Sequence, residues 1–264
     1  MSITAAYVMP HPPIILPEVG RGEEKKLQKT TNALQICAKE IAAAQPETIV
    51  IVSPHAPMYS DYFHISSGSR AVGDFSRFHA PSVRFDLPYD ASYTSRLSAI
   101  AETEDFPAGT LGVDGPLDHG TMIPLYFINQ LYTGYKLVRI GFSGLAPITH
   151  YRFGELIAQA AKELDRSTVF IASGDLSHKL KEDGPYGFAK EGPLFDKRVT
   201  DALATGDFDS FLGYAPAFCE DAAECGMRSL QILAGVVGEW PATSELLSYE
   251  GPFGVGYAVA KMQF

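Results

Sequence analysis

Ile3-Thr4-Ala5-Ala6-Tyr7-Val8-Met9-Pro10-His11-Pro12-Pro13 carries the pattern that decides the fold. A short, nearly continuous apolar run stops at a histidine braced by prolines. Such a run reads as a strand buried on both faces, as in a parallel sheet covered by helices. The same unit recurs. Residues 48–52 lead into Ser53-Pro54-His55-Ala56-Pro57, and Thr168–Ser173 leads into Gly174-Asp175-Leu176-Ser177-His178. Residues 137–142 form another run, and 245–249 with 254–260 a last candidate pair near Gly251, Gly254 and Gly256.

Working outward, the runs alternate with helical patterns. In 23–44, Leu27, Leu34, Cys37, Ala38 and Ile41 fall at helical spacing behind a charged start; 151–164 is a second amphipathic stretch, and 122–131 an apolar one. Strand–helix–strand alternation predicts an α/β fold, with a largely parallel sheet covered on both faces and antiparallel pairing at the end of the chain. Neither a repeat nor a low-complexity linker interrupts the chain, and 59–88, with Phe63, Phe75, Phe78 and Phe85, reads as an ordered excursion. One domain over residues 1–264 is the simpler reading. Trp240, before Pro241, reads as a helix end packed on the core.

Composition narrows the function. The chain has 264 residues, 46% hydrophobic and 20% charged, with a formal net charge of −10. That is ordinary globular composition, and its acidity argues against non-specific nucleic-acid binding. Three cysteines, Cys37, Cys219 and Cys225, are too few for a disulfide framework and fit a reducing compartment. No stretch approaches the roughly 20 apolar residues that span a bilayer, and the first residues lack a basic, then apolar, export signal. A cytoplasmic location without membrane attachment is the expectation.

If the strands are parallel, His11, His55 and His178 emerge at one rim of the sheet, where open α/β folds bind ligands. Prolines around His11 and His55 remove backbone donors and fix φ, giving stiff turns suited to holding metal ligands. His119, in Asp118-His119-Gly120-Thr121, opens the apolar helix, with Asp118 or Thr121 as its cap. An isolated histidine is ordinarily a surface or hydrogen-bonded structural residue, and His64, His79 and His150 are read so. Two imidazoles favour Zn, Cu, Fe or Ni over Mg or Ca. The third ligand is sought in Cys219-Glu220-Asp221-Ala222-Ala223-Glu224-Cys225-Gly226, read as helical from Asp221 into 230–237. Glu224 is favoured, which makes the two-His-one-carboxylate face of non-haem Fe(II) oxygenases; Cys225 would give a softer site and favour zinc. Alternatively, Glu224 answers the dipole of the helix.

The ordered set His11, His55, His119, His178 and Glu224 resembles the class III (LigB-type) extradiol ring-cleavage dioxygenases. Pro10-His11-Pro12-Pro13, Ser53-Pro54-His55-Ala56, Asp118-His119-Gly120 and Gly174-Asp175-Leu176-Ser177-His178 carry the resemblance over essentially the whole chain. It extends to the Memo-like branch, associated with radical-SAM partner proteins, which shares the fold and has a Cys-Gly near this place. The resemblance implies a single three-layer α/β/α domain with a mixed sheet and Fe(II) on His11, His55 and Glu224, zinc being a substitute metal in purified protein. It further implies His178 as acid/base, His119 near substrate or O2, and a homodimer or a partner subunit.

The expected reaction is cleavage of a small aromatic diol of catechol type by O2. His178 moves the proton, because imidazole titrates nearest neutrality. His119 stabilises charge developing on oxygen. Asp175 orients the His178 ring or caps a turn, Tyr186 with Phe188 stacks on the ring, and Arg228, or Lys179 or Lys181, supplies a cation for a carboxylate. The rivals are a Memo-like metal-binding accessory or ligand-binding protein without oxygen chemistry, and a zinc hydrolase. A serine hydrolase lacks its G-x-S-x-G elbow, and Gly141 with Gly144 makes no dinucleotide fingerprint.

Overall fold

The computed structural model describes residues 2–238 and 243–264, so the expectation for Trp240 lies outside the described residues. The elements run β1 (Ile3–Met9), α1 (Pro17–Gly20), α2 (Gln28–Ala44), β2 (Thr48–Ser53), β3 (Phe63–His64), β4 (Arg70–Phe75), β5 (Ala80–Pro88), α3 (Ala91–Thr103) and β6 (Ala108–Gly109). The second half runs α4 (His119–Asn129), β7 (Lys136–Gly141), α5 (Pro147–Glu163), β8 (Thr168–Ser173), α6 (Glu191–Thr205), α7 (Pro216–Ala222), α8 (Met227–Val237), β9 (Thr243–Glu250) and β10 (Tyr257–Gln263).

A six-stranded sheet has the order β7-β2-β8-β1-β10-β9. Strands β7, β2, β8 and β1 are mutually parallel; β10 pairs antiparallel with β1 and β9 with β10. The fold is therefore α/β with a mixed, mostly parallel sheet. The apolar runs are continuous because both faces are covered. Ala5, Tyr7 and Met9 of β1 join a core with Leu34, Cys37 and Ile41 of α2 and Ile123 of α4. The intervening Ala6 and Val8 join the opposite core, with Phe153 and Ile157 of α5, Phe195 of α6 and Leu230 of α8. Period-2 alternation is thus present in space, with two apolar destinations.

Register places the site. Met9 pairs with Ser173 and Val52 with Ala172, so β1, β8 and β2 end together. His11, Asp175 and His55 each stand two residues past their strand. Order β2-β8-β1 also means that the connection from β1 to β2 steps over the position β8 fills, which is a topological switch point.

Three expectations change. The stretch 221–237 is broken: α7 ends at Ala222, Ala223 adopts φ 51°, and α8 starts at Met227. The last strand begins at Tyr257, because Gly254 turns at φ 82°. Helix 23–44 opens with a 3-10 turn over Glu23–Leu27 before α2. The excursion at 59–88 holds the antiparallel hairpin β4–β5. Among the described residues, no helix is long and apolar enough to cross a membrane.

Candidate metal centre

His11 is fixed at two points. Its main-chain N–H donates to Asp175 Oδ1 at 2.8 Å, and its ring Nδ1 lies 2.9 Å from Ser173 Oγ. The Ser173 hydroxyl donates its own proton to Gly120 O at 2.6 Å. Its oxygen can then only accept from His11, which puts the ring proton on Nδ1 and leaves Nε2 with an open lone pair. Burial, and then the neighbouring His55, push the His11 pKa down to about 3, so the ring is neutral at physiological pH.

Nε2 of His11 faces Nε2 of His55 at 3.1 Å and Cys225 Sγ at 3.7 Å. His55, His11 and Cys225 offer ligand atoms all within 4.8 Å of one another. Two imidazole nitrogens about 2.1 Å from one ion stand roughly 3.0–3.4 Å apart at right to tetrahedral angles, so the observed spacing fits a shared transition metal. Burial lowers the His55 pKa as well, against the pull of Asp118 and Asp175. Two neutral imidazoles and one thiol are a borderline-to-soft donor set.

The turn after β2 is set from behind. Ser53 Oγ donates to Asp118 Oδ1 at 2.5 Å and accepts from His55 N at 3.2 Å. Asp118 caps α4 as the sequence suggests, accepting from Thr121 N at 2.9 Å. His119 consequently stands at the rim, stacked on His55 with ring centroids 4.1 Å apart and edge-on to Phe78 at 5.3 Å. Burial, then His11 and His55, push its pKa down to about 3, so it can donate a hydrogen bond only as a neutral ring.

Glu224 is not brought to the two histidines. Its Oε2 accepts from Met227 N at 2.6 Å, at the amino end of α8, the alternative weighed from the sequence. Burial, against bonds from Met227 and Gly226, pushes its pKa up to about 7. Cys225 takes the place beside the histidines because the chain turns at Ala223. Asp175 also differs from expectation: its carboxylate holds the His11 amide rather than the His178 ring. Burial pushes its pKa up to about 6.

His178 reaches the same rim, its N–H donating to Ala222 O at 3.2 Å. Its ring meets Tyr186 edge-on at 5.1 Å, and its Nδ1 is buried without a hydrogen-bond partner among the described residues. Tyr186 and Phe188 are exposed. A cavity of about 810 Å³ opens beside Cys225, lined by Pro54, Phe142, Glu224, Arg228 and Gln231 among others. Nη1 of Arg228 lies 3.9 Å from Met58 Sδ; its charge acts on the Glu224 carboxyl, with no ion pair within 4 Å among the described residues.

Several determinants escape sequence reading. Ser173 reads as the end of an apolar strand, yet it sets the His11 tautomer. Gly174 and Gly226 bring the two loops together backbone to backbone: a Cβ on Gly174 would lie 2.3 Å from Gly226 Cα. Gly174→Ala is expected to cost on the order of 2–3 kcal/mol of stability in chemical denaturation and to weaken metal uptake, since it drives Cys225 from the histidines. Tyr257 is buried beside Asp175, Tyr186 and Cys225; burial, then Asp175, hold its hydroxyl above the ordinary range.

Asp196 supports the loop from α6, accepting from Ser177 N at 2.8 Å and Tyr249 Oη at 2.7 Å. Burial pushes its pKa from 3.8 up to about 6. The folded state therefore binds this proton more tightly than the unfolded chain, so stability falls as pH rises through that interval. Asp196→Asn should remove this part of the slope, on the order of 2 kcal/mol, and so gain on wild type between those pH values and run parallel to it above. Denaturation midpoints across pH check it; an unchanged slope rejects it.

Residues 5–260 match the family described as the catalytic LigB subunit of aromatic ring-opening dioxygenase, and the chain belongs to that family. Protein CA_C1420 of Clostridium acetobutylicum is 43% identical over the whole of this chain, which spans 58% of that relative's length. The 3,4-dihydroxyphenylacetate 2,3-dioxygenase of Escherichia coli is 24% identical over 73% of this chain and 74% of its own. A MEMO1 family protein of Methanococcoides burtonii is 23% identical over 89% and 91%. The crystal structure of the uncharacterized protein JW3007 from Escherichia coli K12 shares the fold, with a TM-score of 0.65 at 15% identity over 98% of this chain and 99% of that one.

Proposed function

We propose that the chain is a metal-dependent extradiol dioxygenase that opens a small aromatic diol with O2. The observation that carries this reading is the pair of imidazoles, buried at His11 and exposed at His55, whose Nε2 atoms face each other at 3.1 Å at the sheet rim, with Cys225 beside them lining a large cavity. Fe(II) would be held by His11, His55 and Cys225, with Glu224 as the alternative donor. When bound, the metal supplies a Lewis acid for the diol and a redox couple for oxygen.

The residues do the rest. Asp175 and Ser173 keep His11 in position and in one tautomer. His178 takes the proton of a diol hydroxyl and returns it on ring opening; its Nδ1, unpartnered, is free to hold that proton. His119 donates a hydrogen bond to the oxygen that gains charge, and its stacking on His55 fixes the direction of that bond. Tyr186 covers the aromatic ring of the substrate, and Arg228, held in no close ion pair among the described residues, takes an acidic arm.

Anaerobic loading with Fe(II), then a panel of diols and air, tests the reading. Oxygen uptake with a yellow ring-opened product is expected. A second reading, a metal-binding accessory protein without oxygen chemistry, is favoured by the thiol of Cys225, a softer donor than a carboxylate. Tightly held zinc or copper with no oxygen uptake across the panel would select it.

A further inference from the structure

Outside the metal centre, one buried histidine makes two bonds that only one protonation state can satisfy. His64, in β3, is 1% exposed. Its Nδ1 lies 3.0 Å from Leu111 O and its Nε2 lies 3.0 Å from Asp114 Oδ1. A carbonyl and a carboxylate are both acceptors, so each ring nitrogen must carry a proton for both bonds to exist. A neutral ring would turn a buried lone pair toward one of the two oxygens, which is costly away from water.

Charges around the ring balance in that state. Arg139, 0% exposed in β7, donates through Nη1 to Gly115 O at 3.2 Å and Pro116 O at 2.9 Å. The nearby anions are Asp114 and Asp118. Despite burial, bonds from Ser67 and His64 hold the Asp114 carboxyl below the usual range; Ser53, Arg139 and Thr121 do the same for Asp118. With His64 charged, two cations meet two carboxylates. The other groups facing this cluster are tyrosines. Tyr59 Oη accepts from Val113 N at 3.0 Å, Tyr62 Oη accepts from Leu111 N at 3.4 Å, and burial raises the Tyr89 hydroxyl beside Arg139.

These two cations share with Tyr59, Tyr62 and Ser67 the hold on segment 111–116, which runs directly into Asp118 and His119. Gly112 adopts φ 121° there, and Leu111 and Val113 are 74% and 77% exposed, so their side chains contribute little to holding the segment. We propose that His64, carrying a proton on each ring nitrogen for Leu111 O and Asp114 Oδ1, is the positioning residue for this segment and, through it, for the approach to His119. The proposal leans on the ring-opening reading only in counting His119 as part of the site.

Nitrogen-15 NMR of the histidine rings in the full chain tests the first half, with His64→Gln identifying the signal. Both His64 nitrogens are expected to show protonated shifts at mildly acidic to neutral pH; a single-proton tautomer there, in folded protein, overturns the proposal. Limited proteolysis at 111–113 tests the second. His64→Gln, unable to donate to both oxygens, should be cut roughly ten-fold faster than wild type. Equal cutting of folded wild type and variant refutes the pinning role; if His64→Gln does not fold, Asp114→Ala, which removes the acceptor instead of the donor, is read the same way. Neither measurement needs turnover. A chain that pins this segment yet opens no ring would refute the proposed activity and leave this inference standing.

Discussion

Cys225→Ser is expected to weaken zinc or iron binding at least roughly 100-fold in competition with a chromogenic chelator, while Glu224→Gln changes it little. Losing a ligand should exceed the 10–100-fold effects that outer-shell changes produce. Serine keeps the size of the side chain, and the Asp175 N–H, 3.3 Å from Cys225 Sγ, keeps an acceptor, so the loop has no reason to move. What disappears is the sulfur facing Nε2 of His11. Glu224, by contrast, serves the amino end of α8 through Met227 N, and a glutamine oxygen accepts that bond as well. If Glu224→Gln strips the metal and Cys225→Ser does not, the donor set is the two-His-one-carboxylate face instead. His11→Ala should abolish binding in either case.

The second large effect concerns turnover. His178→Gln is expected to lower kcat by about 10²–10⁴, the range of a lost general acid–base group, with metal content near wild type. The variant is informative because the His178 ring contributes little else: its Nδ1 has no partner to orphan, and the main-chain bond to Ala222 O survives. Steady-state kinetics on the iron-loaded protein, with metal analysis on the same sample, separates the outcomes. Loss of metal together with activity would make His178 structural to the centre; unchanged kcat would remove it from the mechanism.

Much of this was legible in residues 3–13 and their echoes. Apolar runs ending in Met9-Pro10-His11 and Ser53-Pro54-His55 specify buried parallel strands and two stiff turns at one rim, because strand burial and proline geometry are local. Asp118 as a helix cap is equally local. Glu224 against Cys225 was not legible. The choice depends on one residue, Ala223, adopting a left-handed conformation that breaks an apparently continuous helix, and on Gly226 meeting Gly174 from 52 positions away. Asp175 was misjudged because its partner is an amide 164 residues distant. Helices α3 and α6 are absent from the sequence reading although their buried faces keep helical spacing, as Tyr93, Leu97 and Ile100 do; polar members such as Thr94 and Asp196 dilute the apolar stripe. His64 reads in sequence as a surface or hydrogen-bonded structural histidine, since nothing near it announces two acceptors.

The backbone-to-backbone seam of Gly174 and Gly226 fixes an order of events during synthesis. Two of the three candidate donors leave the ribosome within the first quarter of the chain, whereas the third emerges only after β8 and α6 are available to receive it. A nascent chain can therefore expose a pair of imidazoles long before it can close a coordination sphere. An ion at this place would thus find all three donors only on the folded chain.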